Sequence, residues 1–179
     1  AVYVNDNPIT FNQASTPNEK IAVENFAKNN QQNFISYKDS DYGFTVKYPI
    51  GFYAQQDDAI SGAKVAFKAF LQDDLFEILR VDVLNETSSK TDLDGLAEES
   101  GMTFVSRKTT KNNYGQQFEL FQFTKTNPQK QNAKINIFQA IYNCQTKQAP
   151  YTAIASTAIP ESLPQDNNMA LYYLYEFKC

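Results

Sequence analysis

The chain has 179 residues, of which 42% are hydrophobic and 20% are charged, and its formal net charge at pH 7 is -4. This length and composition fit one globular domain with a single core. The acidic balance excludes a broad cationic surface for nucleic-acid phosphates and disfavours anionic membranes, and no apolar run approaches the roughly 18–20 residues that span a bilayer.

Residues 1–33 form a predicted N-terminal arm that is rich in Asn, Gln and Lys. Within it, Thr16-Pro17-Asn18-Glu19 has the pattern of a helix cap with proline at the first helical position, which predicts a short helix near 17–29. The amide-rich run Asn29–Asn33 then links the arm to a globular domain over 34–179. The arm is interpreted either as a docking segment or as a spacer. Numbering from Ala1 is compatible with the removal of a leader or lipid anchor.

Period-two alternation of apolar residues predicts the first strands of the domain. The segment Phe44–Tyr48 alternates and is stopped by Pro49, and Val65–Ala69 alternates with lysines. Phe76–Leu84 is almost continuously apolar, which is typical of a central strand. From Thr91, acidic residues precede apolar ones at helical spacing, so we expect a helix that crosses the sheet.

The second half of the chain continues with strands and ends in a helix. Two strands, Thr103–Thr110 and Gln116–Lys125, are joined by a polar turn that ends in glycine, and two more follow at Ala133–Cys144 and Tyr151–Ile159. Met169–Cys179 has apolar residues at helical spacing. The short links require mostly antiparallel pairing. We therefore predict an α+β fold with a central, mostly antiparallel six-stranded sheet and helices on both faces.

The segment Tyr42-Gly43-Phe44-Thr45-Val46-Lys47-Tyr48-Pro49-Ile50-Gly51-Phe52 resembles the opening strand of the PsbP-like family, although Phe52 stands where that family commonly has Trp. The likeness extends in element order over residues 34–179. It implies an α/β/α sandwich. Photosynthetic members are extrinsic, lumen-facing subunits that help photosystem II to retain calcium and chloride. Other relatives are secreted proteins or lipoproteins, and one distant group of this fold binds the GTPase Ran. The fold by itself says little about function.

Two cysteines are present, Cys144 in an apolar strand and Cys179 at the last position. A bridge between them would close a loop of about 35 residues and would place the protein in an oxidising compartment. Two unpaired thiols are the alternative.

The sequence contains no histidine, which excludes Ser-His-Asp and Cys-His catalysis and every imidazole metal site. Acidic pairs in predicted loops could hold a weak calcium ion or could be solvated turn residues: Asp39 with Asp41, Asp57 with Asp58, and Asp73 with Asp74. Three tyrosines of the last helix, Tyr172, Tyr173 and Tyr175, could form a stacking surface or could pack in the core.

These observations and the resemblance lead to one functional prediction with an alternative. We predict a non-enzymatic, extracytoplasmic accessory or binding protein that is secreted or membrane-anchored and has a protein partner at a membrane surface. We expect no cofactor, apart from weakly bound calcium, and no nucleic acid. The alternative is an extracytoplasmic enzyme or a carbohydrate-binding module that uses carboxylates and tyrosines.

Overall fold

The computed structural model describes residues 34–49, 53–58, 63–71, 74–84, 101–127, 133–161 and 167–179. The predicted N-terminal arm over 1–33, with its helix near 17–29, and the helix predicted from Thr91 lie outside the described residues. The second helical layer therefore stays a prediction.

Seven strands form one antiparallel sheet in the order β3-β4-β5-β9-β8-β7-β6. Their bounds are β3 Tyr53–Asp58, β4 Ala63–Leu71, β5 Asp74–Leu84, β6 Thr103–Lys111, β7 Gln117–Asn127, β8 Ala133–Gln145 and β9 Pro150–Pro160. The centre is the pair β8–β9, in which eleven residues of each strand are in register from Ile135↔Pro160 to Gln145↔Pro150. Strand β6 lies at one edge and pairs with β7.

Two shorter strands, β1 (Phe34–Lys38) and β2 (Thr45–Pro49), form a separate antiparallel hairpin. Its turn contains Gly43, whose φ of 76° is a conformation that side chains with a Cβ rarely adopt. The hairpin packs on the large sheet through its aromatic residues, with the ring of Tyr48 4.6 Å from that of Phe67 in β4. One face of the large sheet is therefore partly covered by strands.

The same face carries the helix α1 (Asn167–Tyr175), in which all nine residues are buried. It packs against the large sheet and also contacts the β1–β2 hairpin, where Phe34 of β1 meets it. The Phe34 ring is 4.6 Å from that of Tyr172, and the Tyr142 hydroxyl of β8 donates to the Leu174 carbonyl at 2.7 Å. Since all nine residues are buried, the apolar and aromatic residues of α1 are not confined to one side of the helix.

A closing segment, residues 176–179, follows α1 and leaves the helical path. Lys178 and Thr45 of β2 exchange two backbone hydrogen bonds, of 2.8 and 3.1 Å. Phe177 is fully buried, with its ring 5.6 Å from that of Phe44 and 4.6 Å from that of Tyr142. Cys179 then forms a disulfide with Cys144 across a Cα separation of 5.6 Å.

The antiparallel sheet predicted from alternation is confirmed, but two details were wrong. The large sheet has seven strands and not six. The six predicted strands from Val65 onward all lie in it, and the seventh, β3, was not predicted. The first predicted strand is β2, which pairs with β1 in the separate hairpin. The last helix ends at Tyr175 and not at Cys179, because the closing segment pairs with β2 instead of continuing the helix.

Candidate functional site

Two of the carboxylates predicted to hold calcium shape the turn between β1 and β2. Asp39 is buried and accepts hydrogen bonds from the Tyr37 hydroxyl at 3.2 Å and from the backbone N–H groups of Asp41 and Tyr42 at 3.1 and 2.8 Å. Asp41 pairs with the amine of Lys64 at 2.6 Å. These contacts are those of a turn held by its own aspartate.

The other acidic pairs do not join them. Asp57 and Asp58 lie in β3 and Asp74 begins β5, but their side chains are not among those described, and Asp73 lies outside the described residues. Within the described parts of the chain, no three metal-binding side chains converge. The calcium site stays a prediction.

The tyrosines of α1 do not form an exposed stacking surface. Tyr172, Tyr173 and Tyr175 are all buried, although adjacent positions on a helix point in different directions. The reason is the second layer, since Phe34 of β1 lies over both Tyr172 and Tyr173, at ring distances of 4.6 and 6.0 Å. Of the two interpretations of these tyrosines, packing is the correct one.

Exposed apolar side chains concentrate instead at the β6 edge. Among the described residues, four large hydrophobic side chains are exposed: Phe104 at 54%, Val105 at 39%, Tyr114 at 49% and Ile35 at 41%. Three of the four lie on β6 or in the turn that follows it. Scattered single exposed apolar residues are ordinary on a protein surface, whereas grouped ones mark contact sites.

A β-bulge accounts for the two adjacent exposed residues. Phe104 is opposite Phe123 of β7 and Ser106 is opposite Gln122, so Val105 is the extra residue without a partner in the register. A bulge bends its strand and re-aims the neighbouring side chains. Phe104 keeps one edge-on ring contact with Phe123, with the ring centroids 6.1 Å apart.

Strand β6 is also basic, although the whole chain is acidic. It contains Arg107, Lys108 and Lys111 and no carboxylate. The Arg107 guanidinium lies 5.7 Å from the ring centre of Phe121 in β7, which is a cation–π contact on the same face as Phe104. We define the edge surface as Phe104, Val105, Arg107, Lys108, Lys111 and Tyr114.

The far end of the edge surface is the turn between β6 and β7. Tyr114 donates its hydroxyl hydrogen to the buried carboxylate of Glu176 at 2.7 Å, and Lys47 lies 3.4 Å from the same carboxylate. The Lys178 amine is 5.0 Å from the centre of the Tyr114 ring. The pKa of Tyr114 is raised to about 12, mainly by partial burial and further by the hydrogen bond to Glu176 and the negative charge of that residue. The Tyr114 hydroxyl is therefore fixed to Glu176, while about half of the residue, 49%, stays exposed.

Two cavities lie elsewhere on the protein. One, of about 310 Å³, is on the sheet face opposite α1, where Arg80 and Asp82 form a two-point ion pair at 2.7 and 2.9 Å beside Gln139 and Ser156. The other, of about 760 Å³, is a shallow polar groove beside the Lys64–Asp41 pair. In each cavity the carboxylate in the lining is paired with a cation, Asp82 with Arg80 and Asp41 with Lys64.

Sequence reasoning did not single out the edge surface. Thr103–Thr110 was predicted as a strand, and the adjacent pair Phe104–Val105 was the available signal, because two neighbouring large apolar residues break period two. The bulge that exposes both depends on the pairing with β7, which the sequence of β6 alone does not specify.

Comparison with solved structures shows a likeness in fold. No protein-family model and no curated protein matches the sequence. The crystal structure of the Saccharomyces cerevisiae Ran-binding protein Mog1p is similar, with a TM-score of 0.50 and 13% identity over 82% of this chain and 95% of that one. A mutant of Mog1 overlaps with a TM-score of 0.45 and 14% identity over the same shares, which is too low to carry weight. At this identity the likeness to Mog1p concerns the fold alone.

These findings correct three predictions. Membership of the PsbP-like family is wrong: no family model matches, and a solved structure with a similar fold is that of a Ran-binding protein. The extracytoplasmic accessory role and the extracytoplasmic location were expected from that resemblance and from the cysteines, and both are overturned by the same structure. Within the described residues no helix is long and apolar enough to cross a bilayer.

Proposed function

We propose that this chain is a non-enzymatic protein-binding domain that contacts its partner through the edge surface. The observation that carries the proposal is the grouping on β6 and its turn of three of the four exposed large apolar side chains among the described residues. An exposed aromatic ring beside an arginine is the composition typical of interface hot spots. The absence of histidine from the sequence supports the non-enzymatic role.

The partner that we propose to test is a GTPase of the Ran type, since the structure with the similar fold is that of a Ran-binding protein. The charge of β6 adds a physical criterion. Arg107, Lys108 and Lys111 favour an acidic surface on the partner, and such an encounter is faster at low salt.

We also propose a helix over the second face of the large sheet. Phe121 and Phe123 are almost fully buried on that face, although α1 lies on the other one.

The test is a titration of the chain with Ran in its GDP- and GTP-bound forms, repeated with Phe104→Asp. Loss of a hot-spot aromatic costs about 2 kcal/mol or more, so we expect affinity to fall at least about 30-fold. Ile35→Asp is the matched control, because Ile35 is exposed to a similar degree but lies on β1; we expect its affinity to stay within about twofold.

A second variant separates charge from apolar contact. Arg107→Glu with Lys111→Glu should slow association and weaken its dependence on salt, while changing dissociation less. The proposal fails if neither nucleotide form binds. If Ran binds Phe104→Asp and Ile35→Asp with equal affinity, Ran remains the partner, but the edge surface is not where it binds.

A further inference from the structure

The closing segment holds the turn that carries Tyr114. Asn113 makes two hydrogen bonds to it. Its backbone N–H donates to the Tyr175 carbonyl at 3.0 Å, and its side-chain amide donates to the Glu176 carboxylate at 3.0 Å. The Asn112 amide donates to the Phe177 carbonyl at 2.7 Å. The turn is therefore shaped against residues 175–177 and not by its own backbone alone.

The disulfide fastens the far end of this segment to the central strand β8. Cys144 is 6% exposed, whereas Cys179 is partly exposed, so a reductant can reach the Cys179 sulfur more easily. Gln116 in the turn contacts Cys179 twice: its amide nitrogen is 3.1 Å from Sγ, and its amide oxygen accepts the Cys179 N–H at 3.3 Å. The disulfide, the closing segment and the turn form one connected unit.

We infer that the Cys144–Cys179 bridge is a thiol–disulfide exchange site for dithiol reductants, and that its reduction loosens the closing segment and the Tyr114 turn without unfolding the domain. A thiolate of the dithiol attacks Cys179 Sγ, the S–S bond breaks, and Cys144 leaves as a thiolate that takes up a proton. The second thiol of the reductant then attacks the sulfur bound to Cys179. This step expels Cys179 as a thiol after protonation and closes the disulfide of the reductant, with two electrons transferred in total.

Both sulfurs have polar partners for the reduced state. The Tyr142 carbonyl lies 3.9 Å from Cys144 Sγ and can accept from the thiol that reduction creates there. The Gln116 amide, 3.1 Å from Cys179 Sγ, can donate to a thiolate and so favours its release. Reduction therefore does not leave a buried sulfur in a purely apolar environment.

The rest of the segment explains why the effect is local. Phe177 stays buried between Phe44 and Tyr142, and the two backbone bonds between Lys178 and Thr45 do not involve the sulfurs. The bridge limits how often residues 176–179 open, and reduction removes that limit. The exchange site is independent of the identity of the partner.

The test is amide hydrogen exchange by NMR on the wild-type chain with and without dithiothreitol, with mass spectrometry after alkylation to count free thiols. We expect two alkylated thiols under native conditions and at least tenfold faster exchange at the amides of Thr45, Asn113 and Cys179. The first two donate to the carbonyls of Lys178 and Tyr175, and Cys179 lies in the segment and donates to the Gln116 side chain. The amides of Ala140 and Ala155, in the centre of the β8–β9 pair, should change less than twofold.

The double variant Cys144→Ser with Cys179→Ser is the control for direct effects of the reductant. It should show the fast exchange pattern in both conditions. If this variant does not fold, the wild-type comparison stands alone, with far-ultraviolet circular dichroism to establish that the reduced chain keeps its sheet. A bridge that resists dithiothreitol until the chain unfolds refutes the inference, as do unchanged exchange rates after full alkylation.

Discussion

One buried side chain, Asn112, joins the β6–β7 turn to the closing segment, so its removal is a demanding test of the structure. It is 2% exposed. Its amide nitrogen donates to the Phe177 carbonyl at 2.7 Å, and its oxygen accepts from the backbone N–H groups of Tyr114 at 2.9 Å and Gln116 at 2.8 Å. Asn112→Ala removes all three hydrogen bonds.

The loss of stability expected for Asn112→Ala depends on whether each group that loses its hydrogen bond can reach water. The N–H groups of Tyr114 and Gln116 lie near solvent, so each lost bond costs about 1 kcal/mol, whereas the carbonyl of Phe177 belongs to a fully buried residue and costs about 1–2 kcal/mol when unsatisfied. The free energy of unfolding should fall by about 3–4 kcal/mol. For a chain of this size that lowers Tm by about 6–16 °C.

Urea unfolding monitored by circular dichroism, with calorimetry for Tm, measures the change. Asn143→Ala is the matched control, because Asn143 is an exposed asparagine in β8; its unfolding free energy should stay within about 0.5 kcal/mol of wild type. Asn112→Asp keeps the two turn bonds but turns the amide donor into an acceptor against the Phe177 carbonyl, so it should still be destabilising. A loss below about 1 kcal/mol for Asn112→Ala would refute this account of the turn.

Two further predictions concern ionisation and backbone conformation. The pKa of Tyr114 is raised to about 12, and burial also raises that of Tyr151 to about 12, so both bind their protons more tightly folded than unfolded. The contribution of these two tyrosines to stability should therefore be constant below pH 10 and be lost as the pH rises from 10 to 12. Glu176→Gln should lower the Tyr114 pKa measured by phenolate absorbance. A loss of stability on raising the pH from 7 to 9 would contradict the assignment. Gly43→Ala should cost about 1 kcal/mol in denaturant unfolding, because φ is 76° although a Cβ would meet nothing within 4 Å; a neutral effect would mean that the turn relaxes.

The sequence was most informative where burial has a simple period. Strands β4 to β9 were foreseen because alternation or a continuous apolar run marks them. Strand β3 was not, since Tyr53–Asp58 contains two glutamines and two aspartates and forms an edge beside β4. The helix end at Tyr175 was also missed. It depends on pairing between Lys178 and Thr45, residues far apart in the chain, and local helical spacing carries no signal of that pairing.

The candidate site was harder to predict than the fold, because it depends on exposure and not on burial. Phe104 and Val105 have the apolar character of core residues, and only the register with β7 shows that a bulge turns them outward. The predicted calcium site remains a prediction, and only two of its carboxylates, Asp39 and Asp41, have described side chains. Asp39 and Asp41 looked like spare ligands in sequence, but a turn and a lysine take up their hydrogen bonds.

The chemistry of β6 also indicates how a partner would bind. A bulge and several lysines or arginines are the means by which natural sheets discourage another strand from pairing with an edge. Strand β6 has both, so addition of a partner strand along its backbone is disfavoured. Protection of the edge alone would be served better by a polar residue than by a phenylalanine that is 54% exposed. The combination favours recognition through side chains, with Phe104 entering a pocket of the partner and the cations of β6 facing acidic groups around it.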